Sequence, residues 1–171
     1  MSKWLLLKFW VTLPMICFGH VSFTNLNCSS HNSDFLTFPT CHIKAVNRTH
    51  KYISIHAKMH QLPIFDARVS FCLIEIPFFF DLSYDACQFM KNQKNIFINT
   101  LYKTFQRNSN MNHTCPYNHD IIVDKLFTGN LEEEFGRFIV IPNGNYAIYT
   151  EWITNKVARA SVKIYFNILN K

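Results

Sequence analysis

Glycine and proline are scarce in this chain, four and six of 171 residues. That scarcity excludes collagen-like and linker-like classes, which need both in bulk. Charged residues are also few, at 16%, while apolar residues reach 49%, a balance that excludes an intrinsically disordered chain. Basic residues never occur consecutively. The surplus of lysine and arginine therefore forms no patch of the kind a nucleic-acid binder carries, and no nucleic-acid partner is expected. A weak attraction to anionic membrane surfaces or glycans is the most such a surplus implies. There is no glycine-rich phosphate loop, no Gly-x-Ser-x-Gly elbow and no papain-type cysteine context. Neither a C-x-x-C nor a paired Cys/His knuckle occurs, so the cysteines do not read as a zinc site.

The chain opens on a stretch that reads as a signal peptide over residues 1–19. Lys3 supplies the positive start, and Trp4 to Phe18 supply the apolar stretch. Cys17 and Gly19 are the small residues before a cut after Gly19. A cut near Ser22 is the alternative. An uncleaved anchor would want about 20 clean apolar residues, and Lys8 interrupts this run. No later segment is long and apolar enough to cross a bilayer. Residues 20–171 are therefore expected to form one soluble, secreted domain. Without Lys3 and Lys8, 15 basic residues remain against 11 acidic ones.

Two features agree with an oxidising, extracellular setting. Asn27, Asn47 and Asn112 each begin an N-x-S/T triplet, so each is a candidate glycosylation site. Loss of the leader leaves Cys28, Cys41, Cys72, Cys87 and Cys115, an odd number. Cys28 and Cys41 bracket a short loop, and Cys87 and Cys115 bracket a helix-like segment. That spacing suggests the pairs Cys28–Cys41 and Cys87–Cys115, although sequence alone does not fix connectivity. Cys72 lies in an alternating strand pattern, where a free thiol packs as a small hydrophobe.

Period-two alternation marks several strands. In Tyr52–His60, Ile53, Ile55, Ala57 and Met59 share one face. In Ala67–Leu73, Ala67, Val69, Phe71 and Leu73 do so. At the C-terminus Ala158, Ala160, Val162, Ile164, Phe166 and Ile168 alternate with polar residues. Arg137–Ile141 and Asn145–Thr154 flank the turn signal Pro142-Asn143-Gly144, and Thr154-Asn155-Lys156 turns into the last strand. One segment departs from this period. Asp85 and Gln88 form a capping-box-like start, and Met90, Phe97, Leu101 and Phe105 follow at helical spacing, which predicts one helix over about 86–106. The expected fold is mainly β, an immunoglobulin-like antiparallel sandwich or cup with one α-helix.

Catalytic readings find little support. His113, His119 and Asp120 are the densest polar group, but their spacing matches no standard metal set, and a structural role at the turn is the simpler reading. Glu132, Glu133 and Glu134 are adjacent, cannot all face one cleft, and read as a solvated loop. No catalytic residue, metal or other cofactor is expected. Aromatic residues are the positive signal, at 16% with 17 phenylalanines. A small β domain this rich in phenylalanine fills its core or leaves an apolar space between its sheets. Candidate lining residues are Phe71, Phe97, Leu101, Phe105, Tyr149 and Trp152, together with Pro77, Phe78, Phe79, Phe80 and Phe138. For any one of them, plain core packing is the bland alternative. Three consecutive phenylalanines cannot all point inward from a strand, so one of Phe78 to Phe80 is expected at a mouth or a partner surface.

The run Asn112-His113-Thr114-Cys115-Pro116-Tyr117-Asn118-His119-Asp120 is distinctive. With Phe23-Thr24-Asn25, Asp85-Ala86-Cys87-Gln88-Phe89-Met90-Lys91-Asn92 and Ile141-Pro142-Asn143-Gly144-Asn145-Tyr146, it resembles a family of secreted proteins expanded in flies. That family carries a domain-of-unknown-function label and is similar to the ML lipid-recognition sandwiches, which include ganglioside-activator-like proteins. The resemblance implies an immunoglobulin-like sandwich with an apolar cavity and a place in contact chemosensation or pheromone response. It transfers neither a ligand nor a catalytic residue. Cys28, Cys41, Cys87 and Cys115 fit the shared pattern, whereas Cys72 is an extra that leaves an intermolecular disulfide open. The expected function is binding of a lipid or other apolar small molecule, with contact to a receptor or membrane surface. An extracellular interaction domain with a filled core is the rival.

Overall fold

The computed structural model describes residues 19–48, 50–74, 80–136 and 142–170. Most of the expected leader and the expected strand Arg137–Ile141 lie outside them. In chain order the elements are β1 (Gly19–Ser30), β2 (Leu36–Ala45), β3 (Lys51–Met59), β4 (Arg68–Ile74), β5 (Phe80–Asp85), α1 (Ala86–Asn92), α2 (Ile96–Gln106), β6 (Ile121–Phe127), α3 (Thr128–Gly136), β7 (Gly144–Thr154) and β8 (Val157–Asn170). They build two antiparallel sheets, one in the order β1-β8-β7-β4-β5 and one in the order β2-β3-β6. The protein is a β-sandwich.

The alternations seen in sequence decide which face turns inward. Along β3, Ile53, Ile55, Ala57 and Met59 are all buried, and along β8 so are Ala160, Val162, Phe166 and Ile168. Each of these side chains other than the two alanines contributes about 1.5–3 kcal/mol on leaving water. The β7–β8 hairpin turns on Asn155 and Lys156, whose φ angles are 50° and 62°. Two positive values in a two-residue loop match the twist of the strands it joins.

The helix expected over 86–106 is two helices. Asp85 does cap the first, accepting a hydrogen bond from the Gln88 amide. The chain then breaks at Gln93, which takes a left-handed conformation with φ 44° and closes α1 onto the Phe89 carbonyl. Asn95 starts a second helix by accepting from the Ile98 amide. A third helix, α3, occupies the stretch read as a solvated loop, so the helix count is three among the described residues rather than one.

The two long edges of the sandwich are closed differently. At one edge the Cys28–Cys41 disulfide joins β1 to β2 and so staples one sheet to the other. At the other edge α1 and α2 carry the chain from β5 across to β6, and the Cys87–Cys115 disulfide ties α1 to the segment before β6. Among the described residues helices therefore fill the second edge and enclose the space behind them.

Candidate functional site

An apolar cavity of about 240 Å³ lies between the sheets and behind the helical edge. The larger sheet lines it with Phe71, Ile148, Thr150, Trp152, Val162 and Ile164. Facing them across the gap are Leu36, Ile53, Ile55, Met59, Val123 and Leu126. From α2 come Leu101, Tyr102, Thr104 and Phe105. The Trp152 indole spends its one N–H on the Thr150 hydroxyl, at 3.2 Å, so the wall it presents is apolar.

Besides threonine hydroxyls and the tyrosines of α2 and the segment before β6, three polar groups stand on that wall, of which Arg68 is exposed and Arg159 half-buried. Two are arginines, Arg68 and Arg159, and no aspartate or glutamate lines the cavity among the described residues. Arg159 is there because of a β-bulge. Trp152 pairs with Ala160 but Ile153 pairs with Ala158, which leaves Arg159 unpaired in the ladder. A bulge re-aims a side chain. The Arg159 guanidinium lies 4.4 Å from the Phe35 ring centroid, and its Nε donates to Thr154 Oγ1 at 3.2 Å. Neither arginine forms an ion pair with a described residue. The third group is Tyr84. Burial pushes its phenol up to about 12, so it stays a neutral O–H. Its ring packs edge-on against Phe89 at 6.0 Å, and its hydroxyl bonds to no described residue.

Of the lining candidates named from sequence, Phe71, Leu101, Phe105 and Trp152 stand on the wall. Phe97 packs behind it, with its ring 6.4 Å from that of Phe71. Tyr149 is corrected to the outer face. It alternates with the buried Ile148, and the Lys163 ammonium sits 5.1 Å from its ring centroid. Pro77, Phe78, Phe79 and Phe138 lie outside the described residues, and Phe80 opens β5. Sequence reasoning missed Phe23, Tyr84, Arg68 and Arg159. Phe23 was open to the same period-two argument, since it and Val21 share a buried face of β1. Arg159 was not, because a bulge breaks the very alternation that would locate it.

The His113, His119 and Asp120 group divides. His113 and His119 meet at 2.9 Å between their Nε2 atoms. The Asp120 carboxylate turns away, toward β3, where Oδ1 accepts from the Met59 amide and Oδ2 bonds His56 Nε2 at 2.8 Å. Those two bonds, the His56 one foremost, hold the Asp120 carboxyl below the usual carboxylate range. A depressed carboxyl stabilises the fold above its ordinary pKa, and that contribution is lost as pH falls through its folded value. Melting temperature is thus expected to drop on acidification below the ordinary value of 3.8, and to drop less steeply in Asp120→Asn. Identical acid profiles for the two proteins, followed by circular dichroism, would remove Asp120 from this role.

Both disulfides suggested by spacing are present, and Cys72 is free and half-buried. Asn27, Asn47 and Asn112 are all exposed. No helix among the described residues is long and apolar enough to cross a membrane.

Residues 66–148 match a family described as protein of unknown function (DUF1091). The matched span opens just before β4 and ends in β7. It takes in α1, α2, the Cys87–Cys115 disulfide and the His113-Thr114-Cys115-Pro116-Tyr117 run, and with them the helical edge of the cavity. No curated protein matches the chain.

Proposed function

We propose that this is a secreted binding protein that carries a small apolar molecule between its sheets, with the polar end of that molecule at Arg159, Arg68 and Tyr84. The observation that supports this reading most is an apolar cavity of about 240 Å³ in a domain of this size. A dry apolar cavity of about 150 Å³ holds benzene, so by proportion this one holds about ten non-hydrogen atoms. That volume suits one medium-length chain or one substituted ring, and not a two-chain lipid. Two arginines without ion-pair partners among the described residues favour a ligand that ends in a carboxylate or another acceptor. Among the described residues the wall offers donors and no nucleophile beside a base, so binding rather than catalysis is the reading. A role in chemical sensing belongs to the same proposal.

The test is isothermal titration of octanoate and octan-1-ol into the wild type and Arg159→Gln. A charge-assisted hydrogen bond is worth about 1.5–3 kcal/mol, so octanoate should lose at least about ten-fold in affinity while octan-1-ol changes little. Equal losses for the two ligands would take the head-group role from Arg159. No binding of either would sink the carrier reading and leave the interaction-domain rival.

A further inference from the structure

Away from the cavity, three metal-ligating side chains from distant parts of the chain converge. His20 comes from β1, His50 from the segment between β2 and β3, and Glu132 from α3. One ligand atom from each lies within 4.8 Å of the others, and all three residues are half-buried. We propose that His20, His50 and Glu132 form a binding site for a divalent transition-metal ion, zinc being the best match.

Glu132 and His50 are each held in place by something other than the cluster, and His20 is held by them. The Glu132 carboxylate receives the Val21 amide at 2.7 Å and His20 Nδ1 at 3.0 Å, both on Oε1. His50 stacks on Phe127 with ring centroids 5.1 Å apart and planes 19° from parallel. Phe127 can lie there because the next residue but one is Gly129, where a Cβ would come within 2.7 Å of that ring. The backbone of His50 is fixed as well. Its carbonyl accepts from the Val46 and Asn47 amides, and its own amide donates to Asn47 Oδ1 at 2.7 Å. The His20 and His50 rings stand edge to face at 5.4 Å. Supports of this kind orient metal ligands and sharpen affinity.

The donor set selects the ion. Two imidazoles and one carboxylate suit zinc or copper, whereas calcium and magnesium want oxygen alone. Three protein ligands at a half-buried position leave room for a fourth from solvent, the arrangement of an open site. The His20–Glu132 ion pair supplies two of the ligands, and the stack on Phe127 holds His50 beside them as the third. The His113–His119 pair offers two nitrogens without a carboxylate, since Asp120 is committed to β3. It serves as the internal control.

The experiment is titration of zinc chloride into the metal-stripped full chain at neutral pH, with circular dichroism to confirm that each variant folds. The wild type should bind one zinc per chain and melt at a higher temperature with zinc than without. His50→Gln and Glu132→Gln should each weaken zinc by about ten-fold or more and lose the rise in melting temperature, while His113→Gln should keep both. Absence of stoichiometric zinc in the wild type would overturn the proposal. So would zinc binding that His113→Gln removes and folded His50→Gln and Glu132→Gln retain.

Discussion

Replacing Cys87 and Cys115 together by alanine is expected to destabilise the domain by about 3.5 kcal/mol, from the closure entropy of the loop the bond constrains. The two cysteines are 28 residues apart. A loss of this size should lower the melting temperature by about 7–14 °C for a domain of roughly 150 residues. The same relation gives about 3 kcal/mol for Cys28 and Cys41, which are 13 residues apart. The consequences should nevertheless differ in kind. Cys28–Cys41 joins two strands that already pair within their own sheets, whereas Cys87–Cys115 anchors α1 at the edge that helices cover among the described residues. Loss of the second bond should therefore also free the helical edge and raise amide exchange in α1 and α2 under native conditions. Urea unfolding and hydrogen exchange read the two effects. A loss below about 1 kcal/mol, with exchange in the helices unchanged, would show that the edge is held by packing alone.

Substituting Val162 by phenylalanine is expected to cost more than a hundred-fold in ligand affinity and almost nothing in stability. Val162 is 2% exposed and stands on the cavity wall. The larger ring adds four carbons, roughly four of the ten or so atoms the cavity has room for. Displacing four methylenes of ligand removes about 3 kcal/mol of apolar burial. In a filled core the same change would overpack the interior and cost about 1–3 kcal/mol of stability. The pair of readouts thus separates a cavity from a core: lost binding with stability kept marks a cavity, and lost stability marks a core.

Much of the sandwich was legible because period-two alternation survives in its central strands. Ile53 to Met59 and Ala160 to Ile168 face inward as the pattern requires. What escaped has physical causes. The break between α1 and α2 rests on one left-handed residue, Gln93, and that conformation carries no strong side-chain signature outside glycine and asparagine. Asn95 caps α2 inside an apolar spacing that runs on from Met90 to Phe105, so the spacing alone does not show the second start. The acidic run in α3 looked like a loop because adjacent glutamates share no face. Yet one of them, Glu132, turns back to the Val21 amide and His20, a contact across more than a hundred residues that local pattern does not encode. The candidate cavity was read in part. Phe71, Leu101, Phe105 and Trp152 follow from apolar spacing, while Arg159 depends on a bulge and Tyr84 on a packing partner.

The central claim is that the space between the sheets binds one short apolar chain. Titration of a series of straight-chain alcohols, from three to sixteen carbons, into the wild type and Val162→Phe measures it directly. Each added methylene should raise affinity about four-fold until roughly nine carbons, after which the gain should stop, and in Val162→Phe the break should come about four carbons earlier. No binding at any length, or a rise that continues unbroken to sixteen carbons in both proteins, would contradict the account.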